Sequence, residues 1–360
     1  MRKLKYFSME ASICTAEQCG ARCHRKGPGG GLMPFKDVTT IFSRAFILGF
    51  YLPAFFALTV LWQTLPMGLL PVEFKHYTAA VQLLIIAGLG IPLGLLLSGL
   101  NYSILRLYEG YPLQQAQHWH GIRFLYKRLM QSRINEFNDL TSRKQAGDST
   151  PAWQLDRRYP SIKSHILPTR FGNAVRAFEH HALVRWGLST VGVWPRIELL
   201  LSQDESQTLA TVKSDADFLV NASLLSYGVG IVLVVSVATH TAAQWYSWLL
   251  CIIPFIVGYL LYRIAVGAAV RWGSGVRSCV DLHRLQLYER MGVQQPRTRA
   301  HEAEIADAIN QCLLYGVPIP DTVRAVSAVV QSDLQNRSNG RYQGWRRRAT
   351  RLTTHKGGAP

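Results

Sequence analysis

Acidic residues are scarce: 22 Asp and Glu stand against 39 Lys and Arg in 360 residues, a formal charge of +17. That shortage excludes an acidic, self-solvating disordered chain. Charged residues of both signs make only 17% of the sequence, where soluble domains carry roughly 25%, so part of the surface is expected to face lipid. Mean hydropathy is nevertheless only +0.07, which speaks against a transporter built wall to wall from spans. Cysteine is sparse and scattered. Cys14, Cys19 and Cys23 lie near the N terminus, while Cys251, Cys279 and Cys312 are far away and mutually distant, so no disulfide framework is indicated and a reducing compartment fits. Cys14, Cys19, Cys23 and His24 could chelate zinc, but their spacing matches no common finger and no second ligand pair follows. No metal or other cofactor is expected.

Catalytic signatures are missing as well. There is no Walker loop, nucleophile elbow, HExxH or kinase motif. His118 and His120 flank Trp119, and His180 adjoins His181, but sequence neighbours on a helix project about 100° apart and do not converge on one ion. Asp281 with His283 supplies no nucleophile.

What is present is apolar sequence in long runs. Residues 45–62 and 79–100 carry no charge and are long enough to cross a bilayer at 1.5 Å per residue. Pro53 would break a helix in water but is tolerated in lipid where a neighbouring helix satisfies the freed carbonyl, so a kink is expected there. Gly90, Gly94 and Ser98 recur every four residues, a spacing that lets two helices approach closely. Two further runs, about 218–238 and 245–265, are joined by a few polar residues and bordered by Trp245, Tyr246 and Trp248, as at a lipid–water boundary. Lys and Arg number 8 in residues 1–44, one between the first two spans, 15 in residues 101–217, none between the last two, and 15 from Arg263 onward. By the positive-inside rule both termini and the long middle segment are cytoplasmic. The predicted fold is an all-α polytopic membrane protein with four transmembrane helices and a helical cytoplasmic domain.

The expected organisation is a disordered leader (1–40), a first transmembrane hairpin (41–100), a cytoplasmic helical domain (101–217), a second hairpin (218–267), a cytoplasmic helical region (268–336) and a disordered basic tail (337–360). The leader ends in Gly27-Pro28-Gly29-Gly30-Gly31, with Met33 as an alternative start. It does not read as a secretory signal, since Lys3 and Lys5 are followed by Ser8, Glu10 and Glu17 rather than an apolar run. The tail has no acid after Asp333 and includes Arg337, Arg341, Arg346, Arg347, Arg348, Arg351 and Lys356. Tethered at a membrane, it suits anionic lipid headgroups better than nucleic acid, which is not an expected partner.

Within the middle segment, Ile122, Leu125, Leu129, Ile134, Phe137 and Leu140 fall near helical spacing beside Arg123, Lys127, Arg128 and Arg133. This is either a basic amphipathic helix on headgroups or an ordinary bundle helix. Thr141 to Pro151 reads as a flexible break. Then comes LPTRFGNAVRAFEHHALVRWG, with Thr169 placed to cap a helix and Gly187 to end it. Phe171, Val175, Phe178, Ala182 and Trp186 form its core side. Arg170, Asn173, Arg176, His180 and His181 form the opposite side, on which no carboxylate is expected because Glu179 projects elsewhere. That side is the candidate anion or headgroup face, with a solvated surface as its plain alternative. Ser202 and Glu205 have capping-box spacing, and no Pro or Gly interrupts the chain from there until Gly228, so one helix should run into the third span. Asp217 and Asn221, one turn apart where that helix meets lipid, are the candidate intramembrane polar pair. They suit interhelical hydrogen bonding first and an ion path second. The fourth span should continue to Gly292, followed by a helix ending near Tyr315-Gly316 and another capped by Asp321.

The segments FSRAFILGFYLPAFF, LYEGYP, LPTRFGNAVRAFE, WPRIELLL and DLHRLQLYERMGV resemble an uncharacterised family of bacterial four-span membrane proteins. The resemblance covers about residues 40–295. It implies a bacterial plasma membrane location and a recurring cytoplasmic module, and no activity. The expected function is a non-enzymatic membrane-anchored interaction or scaffold protein of the inner membrane, touching anionic lipid and a cytoplasmic protein partner, with self-association as a further option. An oligomeric pore or gated channel is the alternative, and a membrane enzyme acting on anionic lipid or an isoprenoid phosphate the second alternative.

Overall fold

The computed structural model describes residues 43–64, 77–239 and 245–325. The leader with its Cys/His cluster, both short connections between paired spans, the side chains of Trp245 and Tyr246, the helix expected past Ala325 and the basic tail lie outside the described residues.

The described chain is all-helical. Its helices are α1 (Arg44–Thr64), α2 (Ala79–Glu109), α3 (Tyr111–Gln115), α4 (His120–Gln145), α5 (Ser149–Arg158), α6 (Arg170–Glu179), α7 (His181–Trp186), α8 (Thr190–Glu198), α9 (Gln203–Thr239), α10 (Trp245–Arg290) and α11 (Arg299–Tyr315). Four of them, α1, α2, α9 and α10, are long and apolar enough to cross a membrane. Their exposed leucines, isoleucines and valines, such as Leu84, Leu96, Ile231, Val235, Ile253 and Leu260, would be costly in water and are at home in lipid. At 1.5 Å per residue α9 is about 55 Å long and α10 about 69 Å, far beyond a hydrocarbon core of about 30 Å.

Local chemistry explains the boundaries. Ser202 and Glu205 close the capping box at the start of α9, with the Ser202 N–H donating to Glu205 Oε2 (2.9 Å) and the Glu205 N–H to Ser202 Oγ (3.3 Å). Asp148 caps α5 and Thr298 caps α11. Gly110 at φ +91° and Gly316 at φ +70° end α2 and α11 in the left-handed region that favours glycine. The helix expected to begin at Asp321 does not form over the described residues: Asp321–Arg324 make a turn and an isolated antiparallel bridge between Val293 and Arg324. The Gln294 N–H donates to the Val323 carbonyl and the Ala325 N–H to the Gly292 carbonyl, both at 2.9 Å, which draws this backbone into a ladder instead. Asp321 lies 3.3 Å from Arg324 rather than acting as a helix cap.

The chain divides into two compact units, one formed by residues up to His181 with Leu201–Cys279, the other by Ala182–Leu200 with the residues from Val280 onward. In the first unit α1 and α2 meet at the small-residue face. A Cβ at Gly94 would sit 3.2 Å from the Tyr51 backbone, and one at Gly90 3.1 Å from the Tyr51 ring. Phe178 packs edge-on against Trp272 at 4.9 Å between ring centroids, over Gly273, where a Cβ would collide with the Phe178 ring at 2.4 Å. In the second unit Leu188, Val193, Trp194 and Ile197 are buried, as are Leu287, Tyr288, Ile305 and Ile309.

Just before Pro53, where a kink is expected, Ile47–Tyr51 form a π-helical turn. Pro53 has no N–H for the carbonyl of Gly49, four residues earlier. Asn221 of α9 supplies the missing donor: its Nδ2 donates to the Gly49 carbonyl at 3.0 Å in a fully buried position. Asn221→Ala should therefore destabilise the fold by about 1 to 2 kcal/mol. Pro53→Ala, which restores the backbone donor, should recover about half of that loss in a double-mutant cycle measured by unfolding in mild detergent. Strictly additive losses would show that Asn221 does not serve this carbonyl.

Candidate functional site

Helix α6 is positioned by its own N terminus. Thr169 accepts the Gly172 N–H (3.0 Å) and donates through the same hydroxyl to the Glu109 carbonyl (2.9 Å) at the end of α2. A Cβ at Gly172 would lie 2.3 Å from that carbonyl oxygen, so only glycine permits this approach. Of the expected core side Phe171, Val175, Phe178 and Ala182 are buried, whereas Trp186 is only half-buried.

The opposite side is not the open polar face expected from the sequence. Asn173 is completely buried and spends every polar atom on the backbone before the helix: Nδ2 donates to the carbonyls of Leu167 and Thr169, both 2.8 Å, and Oδ1 accepts the Leu167 N–H at 2.7 Å. Arg176 has little exposed side chain, donates to the Tyr111 hydroxyl and lies 3.3 Å from the buried Glu179 carboxylate. Glu179 thus stands on this side after all, because residues three apart on a helix are neighbours. Arg170 pairs with Glu136 of α4 at 3.1 Å, and its backbone N–H donates to Tyr262 at 3.2 Å. Glu136 is also held by Arg133. His180 is buried, with its Nδ1 3.3 Å from that of His165, whereas His181 is only half-buried. Burial, the neighbouring His165 and the Arg176 charge hold His180 down at about 4, and burial together with Arg176 also lowers His165. The polar residues of α6 are internal partners, and the helix is enclosed on both sides.

The intramembrane pair is likewise engaged with neighbouring helices. Asn221 caps the Gly49 carbonyl, and Asp217 lies 3.6 Å from Lys213 and accepts from Asn101 of α2 at 3.4 Å. The bonds to Gly49 and Asn101 cross between helices, the kind that makes buried polar groups tolerable in lipid, while the Lys213 pair lies within α9.

Sequence reading missed a second polar assembly, contained in the second unit. The Trp186 indole N–H donates to Asp281 at 2.6 Å. The Arg284 guanidinium lies 3.6 Å from the Trp186 ring centroid, donates to the Asp281 carbonyl and pairs through Nε with the buried Glu302 at 2.9 Å. Trp186, Arg284 and Glu302 line a cleft of about 610 Å³ together with Arg185, Arg297 and Arg299. A local signal existed in Pro296-Arg297-Thr298-Arg299, two arginines around a helix-capping threonine, but its partners are distant in sequence. No cluster of three or more potential metal-ligating side chains occurs among the described residues. Comparison with known protein families, curated proteins and solved structures finds no match to this chain.

Arg176→Ala takes the guanidinium away from a buried carboxylate and should cost about 3 kcal/mol. Arg170→Ala, at a partly exposed ion pair, should cost about 1 kcal/mol. Urea unfolding of the purified protein checks the contrast, and equal small losses would return α6 to the solvated-face reading. Stability should also depend on pH through His180. Its folded value is lowered, so the unfolded chain binds the proton first and stability falls as pH drops from about 6.5 towards about 4. Melting temperatures of the parent should decline over that window more steeply than those of His180→Asn, and identical slopes would remove His180 as the cause.

Proposed function

We propose that this chain is a membrane-anchored interaction protein of a bacterial inner membrane, with both termini and its helical body in the cytoplasm. The observation that best supports this reading is the length of α9 and α10, 37 and 46 residues, where a span needs about 20. Each continues as one helix well past the length that a bilayer needs, which suits an anchor for a body outside it. Helix α4 supports a lipid-contacting role at one end and a packing role at the other. Its C-terminal half buries Leu140 and packs Ile134 and Phe137 with Tyr159 and Ile166. Trp119, just before the helix, and Phe124 are each 71% exposed, among exposed Arg123, Lys127 and Arg128. Aromatic and basic side chains together suit an anionic headgroup layer. A cytoplasmic protein is the proposed partner of the body, and self-association within the membrane is compatible with it.

A pore would rest on Asp217 and Asn221, and both are occupied in holding helices together. A lipid-modifying enzyme would rest on the α6 face, which is enclosed. The interaction reading therefore needs the fewest additional features. Two measurements test it. A cysteine introduced as Ala146→Cys in a chain without other reactive cysteines should be labelled by an impermeant reagent only after the cells are opened, and labelling of intact cells would overturn the orientation. Purified protein in planar bilayers should pass no current, and reproducible ion currents abolished by Asp217→Ala would replace this reading with the channel.

A further inference from the structure

The cleft of the second unit is lined by four arginines, Arg185, Arg284, Arg297 and Arg299, and by one acidic residue, Glu302. That carboxylate is already committed. Glu302 is buried and bonds Nε of Arg284 at 2.9 Å, while the Arg284 plane rests 3.6 Å from the Trp186 ring centroid and donates to the Asp281 carbonyl. Trp186 is fixed in turn by its 2.6 Å bond to Asp281. Arg284 is thus a clamped, flat wall whose charge is answered by Glu302, not a mobile surface side chain.

The other three arginines have no such answer. Arg185 stacks near Trp186 at 5.2 Å from the ring centroid, and among the described residues none of Arg185, Arg297 and Arg299 forms an ion pair. Arg297 and Arg299 flank Thr298, whose hydroxyl accepts the His301 N–H at 3.2 Å and caps α11. The cap fixes the backbone from which both side chains leave, and both residues line the cleft. Like charges held around one concavity repel one another, and a multivalent anion relieves that repulsion better than screening by monovalent salt. Guanidinium forks match phosphate oxygens in pairs. A volume of about 610 Å³ exceeds what inorganic phosphate needs and lies in the range of small-molecule sites, about 300 to 1,000 Å³. The positive end of the 17-residue α11 adds to the same field.

We propose that this cleft is a binding site for a phosphate-bearing ligand of at least two phosphate groups or one phosphate with an organic remainder, held by Arg185, Arg297 and Arg299 against the wall formed by Arg284 and Trp186. The chemistry is shared by a soluble phosphate ester and a phosphorylated lipid headgroup. The proposal stands independently of the interaction-protein reading, since the ligand would occupy the cleft whatever partner the body recruits.

The test uses the full-length protein in phosphatidylcholine nanodiscs and inorganic pyrophosphate as the probe, followed by isothermal titration calorimetry. Saturable one-to-one binding is expected, weakened about tenfold or more by Arg297→Gln with Arg299→Gln. Arg143→Gln with Lys144→Gln, an equal loss of charge in the exposed last turn of α4, should leave affinity within about twofold, because distant exposed charges are screened. Melting temperature should not change in the Arg297 and Arg299 variant, which breaks no ion pair. If that variant does not fold, Arg185→Gln replaces it, with an expected loss of about fivefold. Discs containing phosphatidic acid separate the two ligand sources. Weaker pyrophosphate binding there assigns the cleft to a lipid headgroup, and unchanged binding assigns it to a soluble phosphate. Absence of saturable binding to the parent, parental affinity in the arginine variants, or an equal loss in the control pair overturns the proposal.

Discussion

The Gly49 carbonyl within α1 is the point on which the membrane part of the first unit turns. A backbone acceptor in hydrocarbon has no water to fall back on, and Pro53 removes the donor that an unbroken helix would provide. The donor comes instead from Asn221 of α9 at 3.0 Å. This bond fixes the register of α9 against α1, and the consequences spread from it. A Cβ at Gly49 would lie 3.4 Å from the Asp217 side chain, so the two helices are close one turn away, where Asp217 is met by Lys213 and by Asn101 of α2. The π turn ending at Tyr51 brings that residue against Gly90 and Gly94. Proline, asparagine and glycine on three separate helices thus satisfy one another's geometric demands.

The same economy governs α6. Its polar residues looked like a ligand face because they are cationic or amide and share one side of a helix. Their partners, Glu136, Tyr111 and the Leu167 backbone, come from other parts of the first unit, and Glu179 from one turn along. Burying arginine is tolerable only with a carboxylate and hydrogen bonds in place. Arg176 has both, and Asn173 closes the turn before the helix so completely that no polar atom is left for a ligand.

How much was legible follows from the range of the interactions. The four apolar helices, the long runs of α9 and α10, the Thr169 cap, the capping box at Ser202 and the glycine stops at Gly187, Gly292 and Gly316 are set by residues a few positions apart, and sequence spacing displays such signals directly. The need for a partner at Pro53 was legible too, though the identity of Asn221 as that partner, 172 positions from Gly49, was not. The burial of the α6 polar side was invisible because periodicity reports how many faces are apolar, not whether a polar face meets protein or water. The turn at Asp321–Arg324 went unread for a related reason: Gly292 and Gln294 offered its backbone hydrogen bonds that no local pattern announces.

Cationic charge has different meanings in the two units. Arg133, Arg170 and Arg176 are matched by Glu136 and Glu179, and Arg277 reaches Asp156 at 2.7 Å while Arg157 donates to Ser274 at 2.8 Å. Arg170, Arg277 and Arg157 join different helices, and Arg133 and Arg176 pair with carboxylates on their own. In the second unit the buried pair of Arg284 with Glu302 builds the wall of a cleft, and among the described residues Arg185, Arg297 and Arg299 around it form no ion pair. With 22 acids for 39 bases, the chain cannot neutralise every cation internally. Where the surplus is dispersed along exposed helices it is screened by salt. Where the fold concentrates it around one concave, aromatic-backed surface, screening is least effective, and an external anion is the most economical remaining source of compensation.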